Sequence, residues 1–251
     1  MTTHSPKVQE LKQEIMLHAN PVKATLLQRF FKTGPGQYGE GDKFAGINVP
    51  IIRQIAQKYQ DLTFDEIDVI IKSTIHEERL AALLILVAKY EKGQESVQKA
   101  VFDFYMMHLD YINNWDLVDL SADKIIGAYL FEHAPIFQVG IRSFKPTELL
   151  EELADSKNMW HRRISVLATF YFIKKNQFVY AFQIATMLLK DKHDLIHKAV
   201  GWMLREIGKR SQEAEEYFLK LHYKKMPRTM LRYAIERFPE ELRQAYLKGK
   251  I

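Results

Sequence analysis

Apolar residues recur three and four positions apart along most of the chain, while sustained period-two alternation and Asn-Gly or Asp-Gly turns are missing. That pattern predicts an all-α protein. Helices are expected over residues 5–18, 21–32, 50–59, 64–73, 77–91, 95–109, 115–131, 135–143, 147–155, 159–175, 178–190, 194–209, 213–222, 228–237 and 239–248. The links between them are short, so residues 1–251 read as one domain without a linker.

Several helices share a core-facing pattern: Arg79-Leu-Ala-Ala-Leu-Leu, Arg163-Ile-Ser-Val-Leu-Ala, Lys198-Ala-Val-Gly-Trp-Met and Thr229-Met-Leu-Arg-Tyr-Ala. With the helix that starts at Trp115, these anchors recur roughly every 30–45 residues, the range of stacked HEAT-like or armadillo-like helix pairs. The expected architecture is therefore a superhelical solenoid of degenerate helical repeats. Its inner helices would line a concave groove suited to an elongated ligand.

Composition narrows the chemistry. The 251 residues are 47% hydrophobic, enough for a substantial core, and include no cysteine. Disulfide scaffolds, cysteine-ligated zinc, iron–sulfur clusters and thiol nucleophiles are thereby excluded. No apolar run approaches the ~18 residues of a membrane span, and the polar stretch Met1–Glu10 has no signal-peptide core. A cytoplasmic location is the expectation. The net charge of +5 is unevenly spread: residues 1–155 hold 16 Lys/Arg and 22 Asp/Glu, whereas residues 156–251 hold 20 and 9. The basic C-terminal part suits a polyanion.

Three segments carry candidate chemistry. In Asn113-Asn-Trp-Asp-Leu-Val-Asp119, either asparagine can cap a helix, and Asp116 then lies in the first turn near the positive helix end. Asp119 follows Trp115 by one turn on the same face, so an indole and a carboxylate project together. Their alternative reading is a core tryptophan with a solvated aspartate. Met159-Trp-His-Arg-Arg163 puts three potential cations in a helix's first turn, against the macrodipole, which calls for an anion there. A phosphate would serve, and so would the glutamates at 148, 151 and 152. Lys198, Trp202, Arg205 and Lys209, spaced four, three and four, make one basic helix face around a tryptophan.

Two other motifs are weaker. His193-Asp-Leu-Ile-His197 has the spacing of a metalloprotease helix, but aspartate replaces the general-base glutamate and no third ligand follows, so no metal is assigned. The stretch Gly34-Pro-Gly-Gln-Tyr-Gly-Glu-Gly41 lacks both the Gly-Lys-Ser/Thr ending and the preceding strand of a phosphate loop, and reads as a connector.

At Trp115-Asp-Leu-Val-Asp119, Trp160-His-Arg-Arg163, Lys198-Ala-Val-Gly-Trp-Met-Leu-Arg205 and Met226-Pro-Arg-Thr-Met-Leu-Arg-Tyr-Ala-Ile-Glu236, the sequence resembles the AlkD family of bacterial DNA alkylation-repair glycosylases. The resemblance runs from the glycine-rich stretch and Phe44-Ala-Gly-Ile47 to Glu236-Arg-Phe-Pro239, and its motifs contain all three tryptophans. It implies a HEAT-like superhelix clasping duplex DNA in a basic groove and excising cationic N3- and N7-alkylpurines such as 3-methyladenine and 7-methylguanine.

By the same resemblance Asp119 is the catalytic carboxylate, and Trp115 and Trp202 face the deoxyribose of the lesion. Arg163 and Arg205 hold backbone phosphate, with Lys198 on the same basic face. No metal or organic cofactor is implied, the partner is duplex DNA carrying alkylated purines, and a groove that encloses DNA favours a monomer. A bifunctional mechanism needs an amine, and the nearest lysine, Lys124, lies more than a turn beyond Asp119, so the expected product is an intact strand with an abasic site. The competing expectation is a non-catalytic helical scaffold that binds nucleic acid or protein.

Overall fold

The computed structural model describes residues 5–133, 137–139 and 142–251. The chain divides into two compact units, residues 1–121 and 122–251. Both are built of helices packed on their sequence neighbours, the helical-repeat solenoid arrangement that the periodicity predicts.

The N-terminal unit runs α1 (Pro6–Leu17), α2 (Pro21–Phe30), α3 (Val49–Lys58), α4 (Phe64–Ile71), α5 (His76–Lys92), α6 (Glu95–Met107) and the start of α7 (Trp115–Ala122). α1 buries Val8, Leu11 and Ile15, a stripe at helical spacing. α4 starts with a capping box in which Thr63 and Glu66 satisfy each other's backbone amides. α5 is apolar nearly all round, from Leu80 to Val87, and takes the central place, packed by α3, α4 and α6.

The first turn of α5 is also buried, although it consists of His76, Glu77, Glu78 and Arg79. Each is partnered. Glu77 accepts the backbone amides of Ala45, Gly46 and Ile47 at 2.9, 2.8 and 3.1 Å, and Lys12 reaches Glu78 at 3.0 Å. The charged turn thus anchors the irregular segment that precedes α3.

In the C-terminal unit, a π turn (Asp123–Gly127) continues α7 into α8 (Ala128–Glu132). Then come α9 (Pro146–Ala154), α10 (Met159–Lys174), α11 (Val179–Met187), α12 (Asp194–Gly208), α13 (Gln212–His222), α14 (Arg228–Ala234) and α15 (Glu240–Leu247). The π turn, α10, α12 and α14 pack in succession as one layer, with α9, α11 and α13 backing α10 and α12. Two glycines set the spacing within that layer: a Cβ on Gly127 would lie 2.2 Å from the Ala168 carbonyl oxygen, and one on Gly201 2.4 Å from that of Met230. Neither position can hold a larger residue without parting the helices.

One expected helix is absent. Residues 135–143 do not form it: β1 (Phe137–Val139) and β2 (Arg142–Phe144) pair antiparallel instead, Phe137 opposite Phe144 and Val139 opposite Arg142. Aromatic and β-branched residues around Gly140, with Pro135 just before them, favour a tight hairpin over a short helix.

Candidate functional site

Asn114 starts α7, its side-chain oxygen accepting the Trp115 amide at 2.9 Å and its carbonyl accepting that of Val118. Trp115 and Asp119 are half-buried and one turn apart, as their spacing requires. The indole lies parallel to the Phe31 ring at 5.0 Å and meets Phe30 edge-on at 6.0 Å. Phe31 stacks in turn on Phe44, and Phe44 on His76, at 4.7 and 4.3 Å. Trp115 is therefore the outer member of an aromatic column rooted in the core.

Asp116 does more than favour a helix end. It is buried; one oxygen accepts the Leu117 amide at 2.9 Å and the other faces His76 Nε2 at 2.8 Å. The opposite ring nitrogen of His76 meets Asp42 at 3.1 Å. Asp42 also accepts from Asn114 Nδ2 at 2.8 Å and pairs with Arg79, which reaches the Asn113 side-chain oxygen at 3.2 Å and the Ser73 carbonyl at 2.9 Å. Burial alone would lower the His76 pKa, but the hydrogen bonds and charges of Asp116 and Asp42 raise it to about 9. Burial acts on Asp42 in the opposite sense, yet His76, Arg79 and Asn114 hold it below the usual carboxylate range.

The sequence gave no hint of this cluster. Its members lie 34–72 residues apart, apart from neighbours on one helix. A signal did exist in the ionisable run His76–Arg79, which leads into a helix apolar on every side and so is buried with it.

The glycine-rich stretch uses its amides internally: that of Gly34 meets Gln37, that of Gly36 the Glu40 carboxylate at 2.8 Å, and that of Gly39 the Lys32 carbonyl. Gly39 passes so close to Phe31 that a Cβ would lie 2.5 Å from its carbonyl oxygen. Tyr38 donates to the Phe30 carbonyl. This is a connector folded over the end of α2.

In the C-terminal unit, the anion demanded by the first turn of α10 is a protein carboxylate. Arg162 Nε donates to Asp191 at 2.6 Å and its Nη1 to the Ser156 and Lys157 carbonyls. Arg163 is only 5% exposed, and its Nη1 donates to the Leu195 carbonyl at the start of α12. It thus ties two helices together, and a phosphate contact would require it to leave that carbonyl.

The basic face of α12 is accompanied by acids that the spacing analysis passed over. Lys198 pairs with Asp194 at 2.8 Å, Arg205 with Glu236, and Lys209 with Glu206, which also accepts the Trp202 indole N–H at 3.2 Å. Burial works against ionisation of Glu206, but Lys209, Trp202 and Arg210 outweigh it and keep its pKa below the usual range. Asp194 and Glu206 sit four residues from Lys198 and Trp202, so both pairs were legible in the sequence.

Trp202 is half-buried with Phe170 at 5.9 Å, and Lys174, paired with Asp123 of the π turn, lies over the outer face of Phe170 at 4.5 Å. His193 caps α12 through its ring nitrogen, and His197 Nε2 lies against the Asp191 carbonyl oxygen. Among the described residues no group of three histidine, aspartate or glutamate side chains could share a metal ion. No helix among them is long and apolar enough to cross a membrane.

No curated protein matches the chain. A solved structure, a predicted DNA alkylation repair enzyme from Enterococcus faecalis, is similar in fold: the TM-score is 0.63 and identity 16%, covering 89% of this chain and 98% of that one. The family model for DNA alkylation repair enzymes matches residues 11–238. By that match, over nearly its whole length, the chain belongs to the DNA alkylation repair enzyme family.

Proposed function

We propose that, within alkylation repair, this protein is a monofunctional DNA glycosylase that hydrolyses the N-glycosidic bond of cationic N3- and N7-alkylpurines in duplex DNA. The observation that carries the reading is the pairing of Trp115 and Asp119 on one face of α7, above a buried charged cluster that fixes the helix. In this reading Asp119 is the catalytic carboxylate, and Trp115 and Trp202 offer their faces to the deoxyribose. Arg205 and Lys198 take phosphate by exchanging Glu236 and Asp194 for it, and Arg163 by releasing the Leu195 carbonyl.

The chemistry asks little of the protein. An N3- or N7-alkylpurine is already positively charged, so the electron pair of the breaking C1′–N bond neutralises it and no general acid is needed. The sugar becomes an oxocarbenium ion. A carboxylate beside C1′ stabilises that charge and can orient the attacking water, and an indole face adds about 0.5–2 kcal/mol of cation–π attraction. Water bonds to C1′ and loses a proton, leaving an abasic deoxyribose and a free neutral base. No metal or organic cofactor enters this scheme.

The deciding experiment incubates purified protein with duplex DNA containing 7-methylguanine or 3-methyladenine and analyses released bases. Free alkylpurine with an intact, alkali-labile strand is expected. Binding without base release would replace this reading with the scaffold, and a borohydride-trapped covalent adduct at stoichiometric level would replace the monofunctional mechanism.

A further inference from the structure

We infer that His76 is a positioning residue: clamped between Asp42 and Asp116, it locks the first turn of α7, and with it Trp115 and Asp119, to the rigid start of α5. The inference rests on the glycosylase reading for what Trp115 and Asp119 do.

Hydrogen-bond arithmetic carries the argument. Both ring nitrogens of His76 face carboxylate oxygens, at 3.1 Å to Asp42 and 2.8 Å to Asp116. A carboxylate only accepts and a neutral imidazole has one N–H, so both contacts are satisfied only by the doubly protonated ring. Arg79, on the same helix, faces Asp42 and makes the buried set of two cations and two anions neutral. Asn114 adds a neutral donor to Asp42, and Phe44 and Phe31 cover the imidazolium at 4.3 and 5.3 Å.

Two routes lead outward from this ring. One is polar, through Asp116 into the first turn of α7; the other is aromatic, through Phe31 to the indole of Trp115. Loss of the ring proton breaks one carboxylate contact and leaves two buried negative charges facing a single guanidinium. The first turn of α7 then loses its inward tie, and Trp115 its fixed angle. A displacement of about 1 Å at a reacting centre can cost on the order of a hundredfold in rate.

The test uses His76→Gln, Asp116→Asn and the double variant, each checked for parental helix content. Single-turnover excision should fall about ten- to a hundredfold in His76→Gln, with DNA affinity within about twofold of the parent. The double variant should be no slower than the worse single one, because both act through the same tie. The parent's excision should fall above about pH 9, and this alkaline limb should vanish in His76→Gln. A second readout does not depend on excision: with Trp160 and Trp202 replaced by Phe, acrylamide quenching reports Trp115 alone. Quenching should increase in His76→Gln and, in the parent background, above about pH 9.

Should neither single variant fold, the pH series on the parent background decides. Unchanged Trp115 quenching in the variants or across the pH series, or additive rate losses, would overturn the inference. If the parent releases no base while quenching behaves as described, the glycosylase reading fails and the positioning role stands.

Discussion

Glu215 offers a test of the C-terminal unit that depends on no assumption about activity. It is the fourth residue of α13 and 1% exposed, with one carboxylate oxygen unpartnered among the described residues and the other pressed against Gly208 of α12. Burial pushes its pKa up to about 9, Glu216 adds to the rise, and Arg205 offsets only part of it. The folded protein therefore holds a proton that the unfolded chain releases near pH 4.5.

Because the folded-state pKa is the higher one, stability is unaffected below pH 4.5 and declines as pH rises from there to about 9. At pH 7 the gap is about 2.5 pH units, which at ~1.4 kcal/mol per unit amounts to about 3.4 kcal/mol of lost stability. Glu215→Gln removes the titration, although its buried amide N–H groups cost about 1–2 kcal/mol if unpaired. The variant should thus be about 1–3 kcal/mol more stable at pH 7, a melting temperature roughly 2–10 °C higher. The assay is thermal or urea denaturation of parent and variant at pH 5, 6, 7 and 8. Their difference should grow in the variant's favour by up to ~1.4 kcal/mol per unit. Parallel stability profiles would refute the claim that a protonated Glu215 is built into the α12–α13 contact.

Three further outcomes are expected. Asp119→Asn should slow excision by ~10²–10³ with folding and DNA affinity nearly unchanged, read by single-turnover release of 7-methylguanine; full activity would remove its catalytic role. Asp116→Asn, by contrast, should cost about 1.5–3 kcal/mol of stability through the weakened tie to His76, measured by urea denaturation. Glu236→Gln frees Arg205 and removes a negative charge, so duplex affinity in low salt should rise about two- to fivefold, measured by fluorescence anisotropy, with the gain shrinking as salt is added. The His76 pKa is raised from 6.5 to about 9, so its contribution, on the order of 3 kcal/mol, is fully present below pH 6.5 and lost as pH rises through 9; denaturation of His76→Gln should show a flatter alkaline limb.

What could be read from the sequence was local. α12 was expected over 194–209 and spans Asp194–Gly208, because a capping histidine precedes it and its apolar face keeps helical period throughout. The α7 start at Trp115 was equally legible from its asparagines. The hairpin at 137–144 was missed because eight residues with apolar positions at both spacings do not separate period two from period 3.6. The cluster around His76 was missed for another reason: four ionisable residues at a helix start read as solvent-facing unless the burial of the helix behind them is considered first. Arg163 illustrates the limit on the other side, since a residue type suited to phosphate is equally suited to a carbonyl, and only packing decides which it meets.

The Glu77 carboxylate bears on the order in which the N-terminal unit assembles. Residues 45–47 have no helix or strand of their own, and their amides are satisfied only across a span of 30–32 residues, by a side chain of α5. Until α5 is in place those three N–H groups have nothing to bond to but water, and closing so long a loop must await a partner that is already ordered. Folding of this segment is thus slaved to α5. In hydrogen–deuterium exchange an irregular stretch of chain should then exchange as slowly as the central helix, because both open only when the whole unit does.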